Sequence, residues 1–200
     1  MSTVNYVRRA FASQISQSGS SVVIVGAKRT PIGCFMGQMA NLSAPMLGST
    51  AARGAIEHAG IQPEDIEENF FGCVINAGLG QAPDRQVALK AGCSTDVPST
   101  MINKVCASGM KAVMLGAQQI RTGDRNIVLT GGMESMSKAP HLFYLRKPTG
   151  YGHASAIDSI TFDALTDAYN NILMGSCVEK NVSEMGISRE AQDEFSIMSY

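Results

Sequence analysis

The sequence predicts an α/β protein built on a mostly parallel sheet, and three observations carry that prediction. Short apolar, β-branched runs alternate along the chain with longer segments of helical period. Charged residues make up only 16% of the chain against 44% hydrophobic, the balance expected of a sheet covered by helices. Twenty glycines permit many close approaches of backbone to backbone. With 200 residues, the chain is long enough to enclose a real core.

The elements follow in order. No Asp or Glu occurs before Glu57. Val4, Val7, Phe11 and Ile15 share one helical face, with Arg8 and Arg9 off it and five Ser within residues 2–20. Residues 1–20 therefore read as a basic amphipathic leader of the mitochondrial kind, and Arg9-Ala-Phe-Ala12 resembles a matrix-processing site cut after Phe11. Val22–Val25 is a β-branched run expected to be a buried strand, followed by a loop at Pro31, Gly33 and Gly37. Residues 44–59 have helical period, with Leu47, Ala51, Ala55 and Ile56 on the inner face. Gln62–Glu68 reads as an acidic, exposed short helix with Pro63 near its start. Strands are expected at Phe70–Ile75, Thr100–Asn103 and Asn126–Thr130, the last closed by Gly131-Gly132. A helix is expected at Gln86–Ala91. Residues 133–160 are rich in Gly, Pro, Ser, Tyr and His and show no strong period.

Several function classes are excluded. Net charge is −1, so there is no broad basic footprint for nucleic acid. No apolar run reaches the ~18 residues of a membrane span. Gly78-Leu-Gly80-Gln-Ala-Pro lacks the third glycine of a dinucleotide fingerprint. Cys34, Cys73, Cys93, Cys106 and Cys177 form no C-x-x-C pair and no metal spacing with the three histidines, which suggests free thiols in a reducing compartment. Asn41-Leu-Ser and Asn181-Val-Ser fit glycosylation acceptors and, with no secretory signal, read as accidental.

The stretch Asn103-Lys-Val-Cys106-Ala-Ser-Gly-Met-Lys-Ala112 is the most informative. Met110, Val113, Met114, Ala117 and Ile120 recur at helical spacing, so a helix starts at or just after Cys106. A thiol there faces unpaired N–H groups and the positive end of the helix dipole, a setting that favours the reactive thiolate. Small neighbours leave room for a carbonyl to approach. Taken alone, a buried structural cysteine at the end of a strand is the more ordinary reading.

The wider pattern resembles the thiolases. The Cys106 stretch is similar to their nucleophile signature. Val22-Val-Ile-Val-Gly-Ala-Lys-Arg-Thr-Pro-Ile-Gly33, Gly80-Gln-Ala-Pro-Asp-Arg-Gln-Val-Ala88, Gly131-Gly-Met-Glu-Ser-Met-Ser137 and Met174-Gly-Ser-Cys-Val-Glu179 match further motifs in the family's order. The resemblance covers residues 22–200 and lies nearest the mitochondrial acetoacetyl-CoA subgroup. It implies a thiolase-like N-terminal half, its sheet flanked by helices on both faces: a core over residues 21–132 and part of a helical, CoA-binding loop domain over 133–200. Residues 162–172, 176–183 and 188–200 look like that domain's helices, with Ser188-Arg-Glu-Ala-Gln a plausible N-cap and first turn.

The resemblance assigns Cys106 as the acyl-thioester nucleophile, its backbone N–H also an oxyanion donor. Asn103 and Ser108 would shape the turn. Met133, Met174 and Tyr200 would contact substrate or CoA, and Tyr200 would also touch a potassium ion. Met133 and Met136 could equally be core. Cys34, Cys73 and Cys93 would be packed thiols, and Cys177 and Glu179 would serve structural placement. Substrates would be coenzyme A thioesters, with no cofactor required beyond a possible potassium ion. Partners would be further copies, as a dimer or tetramer, or full-length thiolase subunits. The compartment would be the mitochondrial matrix. Leu173 departs from the subgroup, which commonly has His before Met-Gly, so longer or branched 3-ketoacyl-CoA substrates stay open. A Gly-His-Pro base segment, an Asn-Glu-Ala-Phe segment, a second cysteine and a fifth strand are expected of the family's other half and are not in these residues. A half-built site predicts poor activity alone, and a non-catalytic short form that binds full-length subunits is the competing reading.

Overall fold

A parallel sheet centred on a wholly buried strand organises the first part of the molecule. The structure, a computed structural model, describes residues 21–146 and 150–200. The leader expected over residues 1–20 lies outside them. Strand β1 (Glu68–Gly72) is flanked by β2 (Ser99–Ile102) and β3 (Val128–Gly132), in the order β2-β1-β3, all parallel. Every residue of β1 is buried, as a strand covered on both faces must be.

Alternation along β1 sends successive residues to opposite faces. Asn69 and Phe71 face helices α1 (Ala44–Ala59) and α2 (Pro83–Ala91). There Asn69 Nδ2 donates to the Asp84 carbonyl at 3.0 Å, and a Cβ on Gly48 of α1 would meet the Phe71 ring at 3.2 Å and Val87 at 2.9 Å. Gly72 faces helix α3 (Ser108–Thr122), where a Cβ would lie 2.6 Å from the Gly109 nitrogen. Helices thus cover both faces, as expected. The core comprises Ile56, Ile66, Phe71, Val87, Val97, Leu129 and Met133 with smaller neighbours.

The first expected strand is corrected. Val22–Val25 joins no sheet, and Val23, Ile24 and Val25 are 65%, 77% and 61% exposed. The segment is fastened to α1 instead: the Ala27 N–H donates to His58 Nδ1 at 3.3 Å. A cavity of about 290 Å³ lies between residues 22–26 and β3, lined also by Ala55, Val113, Gly116 and Ile120. Among the described residues the outer edge of β3 is unpaired, and the segment forms no ladder with it across that cavity.

Other bounds shift for local reasons. The strand expected at Phe70–Ile75 ends at Gly72, because the amides of Val74 and Ile75 turn to the Glu134 carboxylate. The strand expected at Asn126–Thr130 starts at Val128 and runs through Gly131-Gly132, which pair with Phe71 and Gly72, while the Asn126 N–H donates to Glu67. Helix α2 begins at Pro83 rather than Gln86, proline being suited to the first helical position. Of Gln62–Glu68 only Pro63–Asp65 is helical, and Glu68 is buried in β1 beside Arg125 Nε at 3.1 Å. On α1 the fully buried stripe is Ala44, Pro45, Gly48, Ser49, Ala52 and Ile56; Leu47, Ala51 and Ala55 are half-buried.

Contacts divide the chain after Pro140, later than the expected 132/133 boundary, since residues 133–137 are tied to the first unit's loops. The second unit holds a short antiparallel pair, β4 (His141–Leu142) with β5 (Ile157–Asp158). The helix expected over 162–172 is only a wide turn at Ile160–Leu165. Thr166 then bridges to Leu173 around a tight turn, in which the Asp167 carboxylate accepts from the Asn170 amide. Helices α4 (Met174–Met185) and α5 (Arg189–Ser199) follow, and Ser188 Oγ caps α5 by accepting the Ala191 N–H at 3.2 Å.

Candidate active site

Cys106 sits in a tight turn between β2 and α3 and is exposed. The turn is closed by backbone bonds from Ala107 N–H to the Lys104 carbonyl and from Ser108 N–H to the Val105 carbonyl, each at 3.1 Å. Asn103 Oδ1 accepts the Val105 N–H at 3.0 Å, and Ser108 Oγ accepts the Lys104 N–H at 2.8 Å. Asn103 and Ser108 therefore shape the turn, as expected. The bonds that close it use the amides of Lys104, Val105, Ala107 and Ser108, and that of Cys106 is not among them.

Helix α3 reaches this position because its sheet-facing stripe is small: Ser108, Ala112 and Gly116 are the buried residues. A Cβ on Gly116 would lie 2.5 Å from Thr130 Cγ2. The larger residues that revealed the helix in the sequence, Met110, Val113 and Met114, are 68%, 42% and 53% exposed on the other side.

Cys106 opens on a cavity of about 410 Å³ whose walls include Val74, Val105, Met133, Glu134 and Met136. Met133 is 8% exposed and packs on Gly48, so it is both core and cavity wall. Met174 is the first residue of α4 and Tyr200 follows α5, both in the second unit. Among the described residues no group of three or more His, Cys, Asp or Glu could hold a metal ion, and no helix is long and apolar enough to cross a membrane.

Sequence reasoning missed Glu134. Its carboxylate accepts the Val74 N–H at 2.9 Å and the Ile75 N–H at 3.3 Å, and lies 3.6 Å from the Cys73 thiol. The polar residues of the Met133-Glu-Ser-Met-Ser137 motif each bind a different loop. Glu134 holds 74–75, Ser135 Oγ donates to the Leu42 carbonyl at 2.8 Å, and Ser137 Oγ accepts the Met36 N–H at 2.9 Å. The motif's spacing signalled importance, but only the fold shows that its polar residues tie three separate loops to the end of β3.

Burial sorts the remaining thiols. Cys73 and Cys93 are packed, as expected; Cys34 is not, because its loop leaves it exposed, and Cys177 is half-buried. Burial pushes the Cys73 thiol up to about 12, helped by the Glu134 charge and hydrogen bond. Burial likewise raises Cys93.

Comparison with known proteins agrees with this geometry. Residues 22–200 match the family model described as thiolase, N-terminal domain. The human mitochondrial acetyl-CoA acetyltransferase is 47% identical over 197 residues, covering 98% of this chain and 45% of that protein. The Xenopus laevis mitochondrial acetyl-CoA acetyltransferase A is 49% identical over 192 residues, covering 96% and 45%. The crystal structure of Acat5 thiolase from Ascaris suum in complex with coenzyme A superposes with a TM-score of 0.85 at 39% identity, over 90% of this chain and 47% of that one. The chain spans about half the length of the curated relatives it matches. A parallel sheet sandwiched by helices, a cysteine at the turn into a closely packed helix, and a match along nearly the whole chain place this protein in the thiolase family, as its N-terminal half.

Proposed function

We propose that this chain is the nucleophile-bearing half of a mitochondrial acetyl-CoA acetyltransferase, and that Cys106 carries the acyl group. The single observation behind this reading is the position of Cys106: exposed, at the turn into α3, over a 410 Å³ cavity. The names of its relatives supply the substrate class, coenzyme A thioesters, and the mitochondrial compartment, which the basic leader read in residues 1–20 extends to the matrix.

The chemistry follows from the thiol. The Cys106 sulfur attacks the thioester carbonyl carbon, the bond from that carbon to the coenzyme A sulfur breaks, and the acyl group remains on Cys106 as a new thioester. The Cys106 proton ends on the departing coenzyme A thiol. Negative charge grows on the carbonyl oxygen meanwhile, and the Cys106 N–H is the donor this chain offers to it. Losing one such donor commonly costs about 10²–10³ in rate. Condensation of that acyl group with a second acetyl-CoA needs a base at a C–H bond. By the family resemblance that base belongs to a Gly-His-Pro segment, so the chain by itself is proposed to accept an acyl group and turn over poorly. Met133 and Met136 form the wall against which a short acyl chain would lie. Self-association as a dimer or tetramer completes the proposal.

The test is direct. The chain is incubated with acetyl-CoA and digested, and its cysteine peptides are weighed. A gain of one acetyl group on the Cys106 peptide, absent from Cys106→Ala, is the expected result. Acetylation confined to Cys34, or absent altogether, overturns the assignment.

A second reading, a non-catalytic chain that binds full-length subunits, is favoured by the unpaired edge of β3 and its apolar cavity. Co-purification with a full-length thiolase, together with no acetyl transfer to Cys106, would select it.

A further inference from the structure

Val105, the residue before Cys106, has a φ of 49°. A β-branched residue rarely adopts that left-handed backbone, because its Cβ crowds the following carbonyl. Such a conformation persists only where the surroundings over-determine it. Here two side chains do so from opposite ends of the residue. Asn103 Oδ1 accepts the Val105 N–H at 3.0 Å, and Asn103 Nδ2 donates to the Val74 carbonyl at 3.4 Å. Ser108 Oγ donates to the Val105 carbonyl at 2.5 Å while accepting the Lys104 N–H at 2.8 Å. Ser108 is 4% exposed, so water does not compete for its hydroxyl. The Val74–Ile75 peptide that Asn103 grips is itself held by Glu134, through the Ile75 N–H at 3.3 Å. A continuous run of hydrogen bonds thus joins the strained residue to the wall of the cavity.

We propose that Asn103 and Ser108 form a clasp that holds Val105 left-handed and thereby fixes where the Cys106 thiol points. Both are positioning residues and touch no substrate. The purpose of the clasp rests on the reading of Cys106 as the acyl-accepting thiol; its mechanics do not. If strain at Val105 is what the clasp opposes, removing the strain makes the clasp dispensable. Glycine reaches positive φ without steric cost.

The experiment is a double-mutant cycle on the 200-residue chain. Iodoacetamide alkylation of Cys106 is followed peptide by peptide, with the exposed Cys34 as internal reference. Ser108→Ala is expected to lower the Cys106 rate relative to Cys34 by about fivefold or more, and Val105→Gly sets its own reference rate for the second arm of the cycle. In Val105→Gly the further change Ser108→Ala is expected to cost about twofold or less. Additive effects, the signature of a hydroxyl that merely supports the fold, overturn the clasp. Should Ser108→Ala fail to fold, the exposed Asn103 gives the same cycle. Asn103→Ala lowers the rate, Asn103→Asp retains the acceptor for Val105 and most of the rate, and Val105→Gly abolishes the difference; equal rates for Ala and Asp overturn the proposal. The acetyl-CoA test is run on the same proteins. Coupled alkylation without acetyl transfer would sink the functional reading and leave the clasp. Acetyl transfer with uncoupled variants would do the reverse.

Discussion

Two of the five cysteines face solvent and two are packed inside, and that difference has chemical consequences. In the native protein, Ellman's reagent at pH 8 should modify Cys34 and Cys106 promptly and Cys177 more slowly. Cys73 and Cys93 should appear only after denaturant is added. The buried pair also makes stability depend on pH. The fold holds the Cys73 proton to about 12 against an ordinary 9.0, so above pH 9 the unfolded chain releases a proton that the folded chain keeps. The contribution is complete below the unfolded value and disappears as pH rises through the folded one. Chemical-denaturation midpoints should therefore fall between pH 9 and pH 12, and the slope should shrink in Cys73→Ala. At this scale the sequence was legible where chemistry is local. Cys106, Asn103 and Ser108 sit within six positions of one another and were identifiable together. Glu134 was not, because its partners at 73–75 lie some sixty residues away and no spacing rule connects them.

Helix α3 shows what periodicity reveals and what it conceals. A repeat of apolar residues located the helix, yet Met110 and Met114 are exposed, and the face against the sheet carries Ser108, Ala112 and Gly116. Close packing selects for small volume there, and small residues register weakly on any hydrophobic scale. Two substitutions check this. Met114→Gln should change the urea midpoint by no more than about 0.5 kcal/mol equivalent, as surface changes usually do. Gly72→Ala should cost about 1–3 kcal/mol, because its Cβ would lie 2.6 Å from backbone atoms of Ser108 and Gly109 that cannot step aside alone. A further element-level test concerns the start of β1. Arg125→Ala strands the Glu68 carboxylate, whose side chain is 10% exposed, and should cost about 1–3 kcal/mol. Adding Glu68→Gln should recover part of that loss. The existence and order of the three strands of the parallel sheet were legible. Their ends were not, since each end is fixed by a tertiary partner such as Glu134 or Glu67.

At the scale of the molecule, the alternation of strands and helices was enough to announce a parallel sheet, but not which strands it would hold. Val22–Val25 has the composition of a buried strand but pairs with no other, and the chain just after it is bonded to α1. Composition describes what a segment can pair with and says nothing of whether the pairing forms. Ile24→Ser should therefore cost no more than about 0.5 kcal/mol here, against the 2–5 kcal/mol of a core truncation. A cost in the upper range, measured by urea denaturation, would mean the segment is packed after all. The unpaired edge of β3 should also make the chain associate as concentration rises, which gel filtration would read as a shift to earlier elution. Where α3 begins, main chain meets main chain: a Cβ on Gly132 would lie 3.3 Å from the Gly109 Cα, and one on Gly72 closer still to the Gly109 nitrogen. At Gly109 and Gly132 no side chain separates the strand end from the start of α3, so substitution there has no lever with which to move the helix by small steps. An evolving lineage can alter what enters the cavity by exchanging Val74, Met133 or Met136. The place where the helix starts against the sheet is inherited whole or lost.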